Sequence, residues 1–300
     1  MTESAEERIL WTGANMSLLQ DIAAEFSETK PFSGLRIGVS LHIEPKTAVL
    51  FETLRRGGAD VVAAGNYATT QDDVVAYLID HGVDARGSGA DDRQTHLSVV
   101  ESVVEADPDI LLDNGADLVA MAIATGRNVL GGTEETTSGH MRLDTELRDA
   151  VGFPVIVIND SPLKAIAENK HAVGQSTYES FCRITNLMPQ GKQVLVVGYG
   201  WCGRGIAQYM RANGAQVSVA EVDELKTLEA ALDGYRVGSV LDLISTADVV
   251  ITATGAVNVI GQQEFLAAKN GSVLANAGHF PTEIDVGALE VETVEKIPLG

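Results

Sequence analysis

The 300-residue sequence predicts an α/β protein of two domains, each a parallel sheet wrapped by helices. Three observations carry this. Short β-prone apolar runs alternate with helix-like stretches along the whole chain. The alternation runs once to about residue 165 and starts again, more cleanly, at Val194. A hydrophobic fraction of 45% is enough to bury a core in each half. The boundary is expected within 165–190 and is placed at 170, giving domains 1–170 and 171–300.

Taken in order, Leu35–Leu41 reads as a strand and Thr47–Gly57 as the helix after it. Asp60–Gly65 is a second strand. Gln71–Asp80 is a helix opened by Asp72 and Asp73, whose charge suits the positive end of the helix dipole. Asp109–Asp113 and Val155–Ile158 are further strands. A linking helix lies within Lys170–Lys192 and ends near Asn186, with Pro189 and Gly191 as stop signals. The second half then reads strand Val194–Val197, a glycine turn, a helix to about Asn213, and strands Gln216–Glu221, Asp248–Thr252 and Ser272–Asn276.

Composition narrows the function classes. Forty-two acidic against 21 basic side chains give a formal net charge of −21. Such a surface repels phosphate backbones and anionic lipid, so neither nucleic acid nor membrane is an expected partner. Cys182 and Cys202 are the only cysteines. Two thiols make no disulfide framework and no metal cluster, and they fit a reducing cytoplasm. No bound metal is expected. The acidic N-terminus lacks the apolar core of a signal peptide, and no apolar run reaches membrane-spanning length. A cytoplasmic location is the expectation.

Gly198-Tyr-Gly-Trp-Cys-Gly203 matches G-x-G-x-x-G directly after a β-prone run and before a helix. In that context Gly198 permits the tight turn. Gly200 lets the backbone approach a pyrophosphate, and Gly203 lets helix and strand pack closely. The helix N-terminus offers free N–H groups to phosphate. An acidic residue about 20 positions on should grip a ribose diol, and Glu221 ends the next strand. A carboxylate there repels the extra phosphate of NADP, so NAD is the expected cofactor of a Rossmann-type domain. Small residues in Thr252-Ala-Thr-Gly255 would also suit close approach of a cofactor, or simply make a strand-end turn.

Further motifs appear in a fixed order. They are Leu41-His-Ile-Glu-Pro-Lys-Thr-Ala48, Thr70-Gln-Asp-Asp73, Leu112-Asp-Asn-Gly-Ala-Asp-Leu118 and Glu134-Glu-Thr-Thr-Ser-Gly139. Asn159-Asp-Ser with Lys164 and Asn169 follows, then the glycine turn extended to Gly205. Asn276-Ala-Gly-His-Phe280 with Glu283-Ile-Asp285 completes the set. From about Pro31 to Val286 the chain resembles the S-adenosylhomocysteine hydrolases.

That resemblance implies a redox-assisted elimination on a purine nucleoside. NAD held throughout turnover would oxidise the 3′-hydroxyl, the C4′ proton would leave, and the 5′ substituent would be expelled. Water would then add and the hydride would return. By resemblance, Lys164 would act at the 3′-hydroxyl, Glu168 would handle protons near the same carbons, and Asn169 would sit near the nicotinamide. His42 is a candidate acid or base at C5′, since an imidazole titrates near neutrality. Asn114 and His279 complete the catalytic candidates. Glu135 would accept from ribose hydroxyls, with Glu44, Lys46, Thr47 and Asp113 at the base or sugar. Thr136, Thr137 and Ser138 would touch NAD from the first domain. Trp201, Cys202, Thr254, Gly255, Asn276 and Gly278 would touch it from the second. The first domain is thus the substrate domain and the second the NAD domain, in an expected homo-oligomer.

The sequence departs from the family pattern in places. Asn114 stands at the second acidic position of the usual Asp-Asp-Gly-x-Asp, and Glu168 replaces an aspartate. An amide can hydrogen-bond but cannot transfer that proton. Typical members also continue past the position of Gly300, so a short, divergent member is expected. Hydrolysis of S-adenosyl-L-homocysteine is the leading expectation. A nucleoside dehydratase leaving an exocyclic alkene, and a non-catalytic NAD sensor, are the alternatives. A 2-hydroxyacid dehydrogenase is disfavoured by Glu134-Glu-Thr-Thr.

Overall fold

The computed structural model describes residues 4–278 and 282–289. The chain forms two compact units, 1–159 and 160–300. The second begins before residue 170, and the segment after Asp160 packs on the helix Trp201–Ala212.

In the first unit the order is α1 (Ala5–Ala14), α2 (Ser17–Thr29), β1 (Arg36–Leu41), α3 (Pro45–Arg56), β2 (Asp60–Gly65), α4 (Asp72–Asp80) and β3 (Asp84–Arg86). Then come α5 (Arg93–Glu105), β4 (Ile110–Asp113), α6 (Asp117–Ala124), β5 (Gly131–Glu134), α7 (Thr137–Asp144) and β6 (Val155–Val157). The six strands are parallel, in spatial order β3-β2-β1-β4-β5-β6. Central β1 pairs Gly38 with Val62 on one side and Leu111 on the other. Alternation divides the core between the two faces. Val61 and Ala63 pack with Ile37, Val39, Phe51 and Leu78, whereas Val62 and Ala64 pack with Val100, Leu111 and Leu118. A parallel sheet buried on both faces reads as near-continuous apolar strands, and Asp60–Gly65 is such a strand.

The second unit opens with a short α8 (Pro162–Lys164), followed by a π-helical segment, Ala165–Ala172, and α9 (Val173–Thr185). Asn186, at φ 53°, caps α9 in the left-handed conformation, so the expected stop near Asn186 is observed. Next come β7 (Gln193–Val197), α10 (Trp201–Ala212), β8 (Gln216–Ala220), α11 (Glu224–Leu232), β9 (Arg236–Val237), α12 (Val240–Ile244), β10 (Val249–Thr252), α13 (Gln262–Ala267) and β11 (Val273–Asn276). These strands are also parallel, in order β11-β10-β7-β8-β9. Val194 and Val196 face Ile206 and Met210, while Leu195 and Val197 face Ile244 and Val250.

Both sheets reverse direction beside their first strand, at β1/β4 and at β7/β10. In open α/β sheets, ligands bind outside the carboxyl ends of strands at such a switch point.

Candidate active site

In the first unit, four strands deliver polar side chains to the carboxyl edge around β1/β4. Ser40, on β1, donates from its hydroxyl to the Asn66 side-chain oxygen at 3.3 Å. The Asn66 amide donates to Asn114 Oδ1 at 3.1 Å, and Asn114 Nδ2 donates to Glu135 Oε1 at 2.5 Å. Ser40, Asn66 and Asn114 are all buried. Asn114 is thereby oriented: its carbonyl faces Asn66 and its NH₂ faces Glu135. His42 directly follows β1, and its Nδ1 lies 2.6 Å from the Thr69 hydroxyl.

Other expected substrate residues are placed differently. Asp113 is buried beneath the edge, where its carboxyl accepts from the N–H groups of Asn114 (2.8 Å) and Val119 (2.7 Å). Burial, together with the neighbouring Glu134 carboxylate, raises its pKa to about 8. Its role in the structure is to close the loop that carries Asn114. The Thr47 hydroxyl is taken up by its own turn, accepting from Glu44 N–H at 2.9 Å and lying 2.8 Å from the His42 carbonyl. Lys46 is exposed and 3.8 Å from Glu44 Oε1.

Glu134-Glu-Thr-Thr-Ser-Gly139 folds around the buried Glu134 side chain. The Glu134 carboxylate is fully buried and accepts from the N–H groups of Gly115, Ala116 and Thr136 and from the Thr136 hydroxyl, at 2.6–3.1 Å. A Cβ at Gly139 would lie 2.1 Å from the Glu134 carboxyl carbon, so only glycine fits there. Thr136 caps α7 by accepting from Gly139 N–H at 2.9 Å, and Ser138 Oγ lies 3.1 Å from the Thr136 hydroxyl. Thr137 accepts from Asn159.

In the second unit the glycine turn has the form its spacing predicts. Gly198 has φ +99°. A Cβ at Gly203 would lie 2.0 Å from the Gly198 carbonyl oxygen. At Gly200 nothing lies within 4 Å of a Cβ position, so the backbone at the α10 N-terminus is open to an incoming group. Glu221 accepts from the N–H groups of Tyr199 (2.6 Å), Val222 (2.8 Å) and Asp223 (3.1 Å), which fix its carboxylate beside the turn. An open helix N-terminus next to a fixed carboxylate fits the pyrophosphate and ribose of NAD. Trp201 is part-exposed, with the Arg204 guanidinium 5.2 Å from its ring.

The turn after β10 faces the same switch point. Thr254 N–H and hydroxyl donate to Glu283 Oε2 at 2.9 and 2.6 Å, and Gly255 N–H donates to Oε1 at 3.0 Å. Asn276 Oδ1 accepts from Gly278 N–H at 2.8 Å and from the Thr252 hydroxyl at 3.2 Å. His279 lies outside the described residues.

Lys164 Nζ donates to Asn169 Oδ1 at 2.8 Å and stands 3.8 Å from Glu168 Oε1. Cys202, in the glycine turn, is close enough to feel that group. Burial pushes its thiol pKa up, while the Lys164 charge pulls it down. The amine and the cofactor turn are thus neighbours within one unit. Among the described residues no group of three or more His, Cys, Asp or Glu is arranged to hold a metal.

Comparison with known proteins agrees with this geometry. Residues 2–128 match the family model described as S-adenosyl-L-homocysteine hydrolase, and residues 169–299 match its NAD-binding domain. A protein of Thermococcus kodakarensis named adenosylhomocysteinase is 43% identical over 99% of this chain and 73% of its own length. The chain belongs to the S-adenosyl-L-homocysteine hydrolase family. NAD is its cofactor. Another relative, from Methanothermobacter thermautotrophicus, is named S-inosyl-L-homocysteine hydrolase and is 42% identical over 97% of this chain and 71% of its own length. The chain spans about seven-tenths of the length of these relatives. They are named as hydrolases, which supports an enzyme and gives no support to a dehydratase or an NAD sensor. Two solved structures share the fold alone. Phosphoglycerate oxidoreductase of Vibrio cholerae has TM-score 0.55 and 16% identity, covering 85% of this chain and 78% of its own. A dipicolinate synthase chain of Bacillus halodurans has TM-score 0.53 and 15% identity, covering 86% of each. No helix among the described residues is long and apolar enough to cross a membrane.

Against this family's motifs, three contributors went unassigned in the sequence. Asn66 follows strand β2 with no pattern of its own beyond its place before Thr70-Gln-Asp-Asp73. Thr69 escapes for the same reason. Glu283 stands in a motif that matched, but its clamp on the 254–255 turn joins positions far apart in sequence, which spacing does not reveal.

Proposed function

We propose that the enzyme cleaves the thioether of an S-nucleosyl-L-homocysteine, releasing homocysteine and a purine nucleoside. The observation that carries this is the Lys164–Asn169 pair, an amine held at 2.8 Å by an amide beside the cofactor turn. When bound, NAD supplies a hydride acceptor at the sugar and the source of the returning hydride. Lys164, as the neutral amine, takes the proton from the 3′-hydroxyl and becomes the ammonium, while Asn169 Oδ1 accepts from Nζ–H and holds the group in place. Glu168, whose carboxyl stands 3.8 Å from the amine, handles protons near the same carbons. Glu135 accepts from the ribose hydroxyls, with its carboxylate oriented by Asn114. His42, braced by Thr69, exchanges a proton at the 5′ position, where Asn114 has none to give.

The base is adenine or hypoxanthine, since relatives carry both names. The test uses purified, NAD-loaded protein with S-adenosyl-L-homocysteine, S-inosyl-L-homocysteine, adenosine and inosine, with products followed by mass. Release of homocysteine from one or both thioethers is expected. Loss of water from a free nucleoside without thioether cleavage would overturn the reading. Lys164→Ala should keep NAD yet fail to form NADH when substrate is added.

A further inference from the structure

The segment Ala165–Ala172 is π-helical, a rare geometry that concentrates at functional sites. Its last hydrogen bond runs from Val173 N–H to the Glu168 carbonyl, five residues back. The wider turn matters for Lys164 and Asn169, which are also five residues apart. In an α-helix of 3.6 residues per turn they would project about 140° apart. Across the π turn their side chains meet at 2.8 Å.

Such a turn needs support, because its backbone bonds are less favourable than those of an α-helix. The support is a close backbone approach between this segment and α10. A Cβ at Gly205, on α10, would lie 1.8 Å from the Lys170 carbonyl oxygen and 2.7 Å from its carbonyl carbon. A Cβ at Gly174, just after the segment, would lie 2.7 Å from the Gly205 carbonyl carbon and 2.8 Å from Tyr209 Cδ2. Neither clash is with the flexible end of a long side chain. Glycine at both positions is what lets the two helices touch. Gly205 stands near the N-terminal end of α10, two residues after Gly203 of the open glycine turn.

We propose that Gly205 and Gly174 are positioning residues for the reaction. They hold the π turn against α10, and so set Lys164 and Asn169 in register with the cofactor turn. The proposal rests on the proton-transfer role given to Lys164 above. A misplacement of about 1 Å at a reacting group can cost about 100-fold in rate, and one methyl at Gly205 forces a shift of that size.

The test uses Gly205→Ala and Gly174→Ala in the NAD-loaded full chain, with two readouts. One is the carbon NMR signal of the Lys164 Cε, assigned by its loss in Lys164→Arg, which reports the ammonium's surroundings without any turnover. The other is the rate of NADH formation in a single turnover with S-adenosyl-L-homocysteine or S-inosyl-L-homocysteine. In Gly205→Ala the Lys164 signal should move, NAD content should stay native, and NADH formation should slow about 100-fold with little change in KM. Gly174→Ala should do the same more weakly, and it decides the question if Gly205→Ala does not fold. A native Lys164 signal with a full rate in a folded variant, whatever its melting temperature, overturns the proposal. If the unaltered enzyme forms no NADH with either thioether, the functional reading falls instead, and the Lys164 signal alone decides the positioning.

Discussion

At the end of β4 an amide occupies the place where the family pattern has a carboxylate, and the structure gives that exchange a consequence. Asn114 Nδ2 donates to Glu135 Oε1 at 2.5 Å, so the carboxylate of Glu135 meets a donor rather than a second anion. Asn114→Asp would put two carboxyl groups at that separation, where they must share one proton. Affinity of the variant for adenosine or inosine should then fall as pH rises past release of that proton, by about tenfold or more, and recover in acid. Calorimetric titration across pH checks this; a variant that follows the native pH dependence removes Asn114 from the control of Glu135. Much of this site was legible in single residues. Glu221 and the three glycines were singled out by type and spacing, whereas Lys164, Asn169 and Glu135 were singled out only through the family resemblance of the short contiguous motifs that hold them. For Asp113 and Thr47 a motif does not say which polar atoms face a ligand and which tie their own loop, and both tie their loops here. Asn66 was missed because its partner is 48 positions away in sequence.

The same distinction holds for whole elements. Strands β1, β2, β7 and β8 were legible because central parallel strands are near-continuous apolar runs. β5 was not, since Gly131-Gly-Thr-Glu134 reads as a turn. Its glycines serve close packing: a Cβ at Gly132 would meet the Leu111 carbonyl at 3.1 Å. The π segment was illegible too, because its residues fit an ordinary helix and its close approach to α10 joins glycines far apart in sequence. Between β4 and β5 sits a buried pair of carboxyl groups, with Asp113 paired in register with Glu134. The folded pKa of Asp113, about 8, lies above the unfolded value near 4, so between these limits the folded state holds the extra proton. Its contribution is whole below about pH 4 and is lost as pH rises towards 8. Asp113→Asn imitates the protonated acid and cannot titrate. Urea midpoints measured from pH 5 to 9 should therefore decline less in the variant than in the native chain. Parallel declines would show that Asp113 does not govern the alkaline limb.

Across the whole molecule, the two sheets share one winding order, and the surface carries most of the charge. Acidic residues outnumber basic ones 42 to 21. The ion pairs cannot offset this, because most are exposed at one or both partners, as in Arg36–Asp60 and Arg127–Asp107. Exposed pairs each contribute about 0–1 kcal/mol. Self-repulsion of a net −21 therefore outweighs their loss when salt is added. Screening lengths fall from about 30 Å at 0.01 M to about 3 Å at 1 M, short enough to remove most repulsion between surface carboxylates. The melting temperature should rise with sodium chloride over that range, by on the order of 5 °C for a chain of this size. Sodium sulfate would strengthen apolar burial as well, so the chloride series is the cleaner measure of charge. A melting temperature that falls with chloride would mean that paired charges, rather than the excess of carboxylates, dominate the electrostatics of the folded chain.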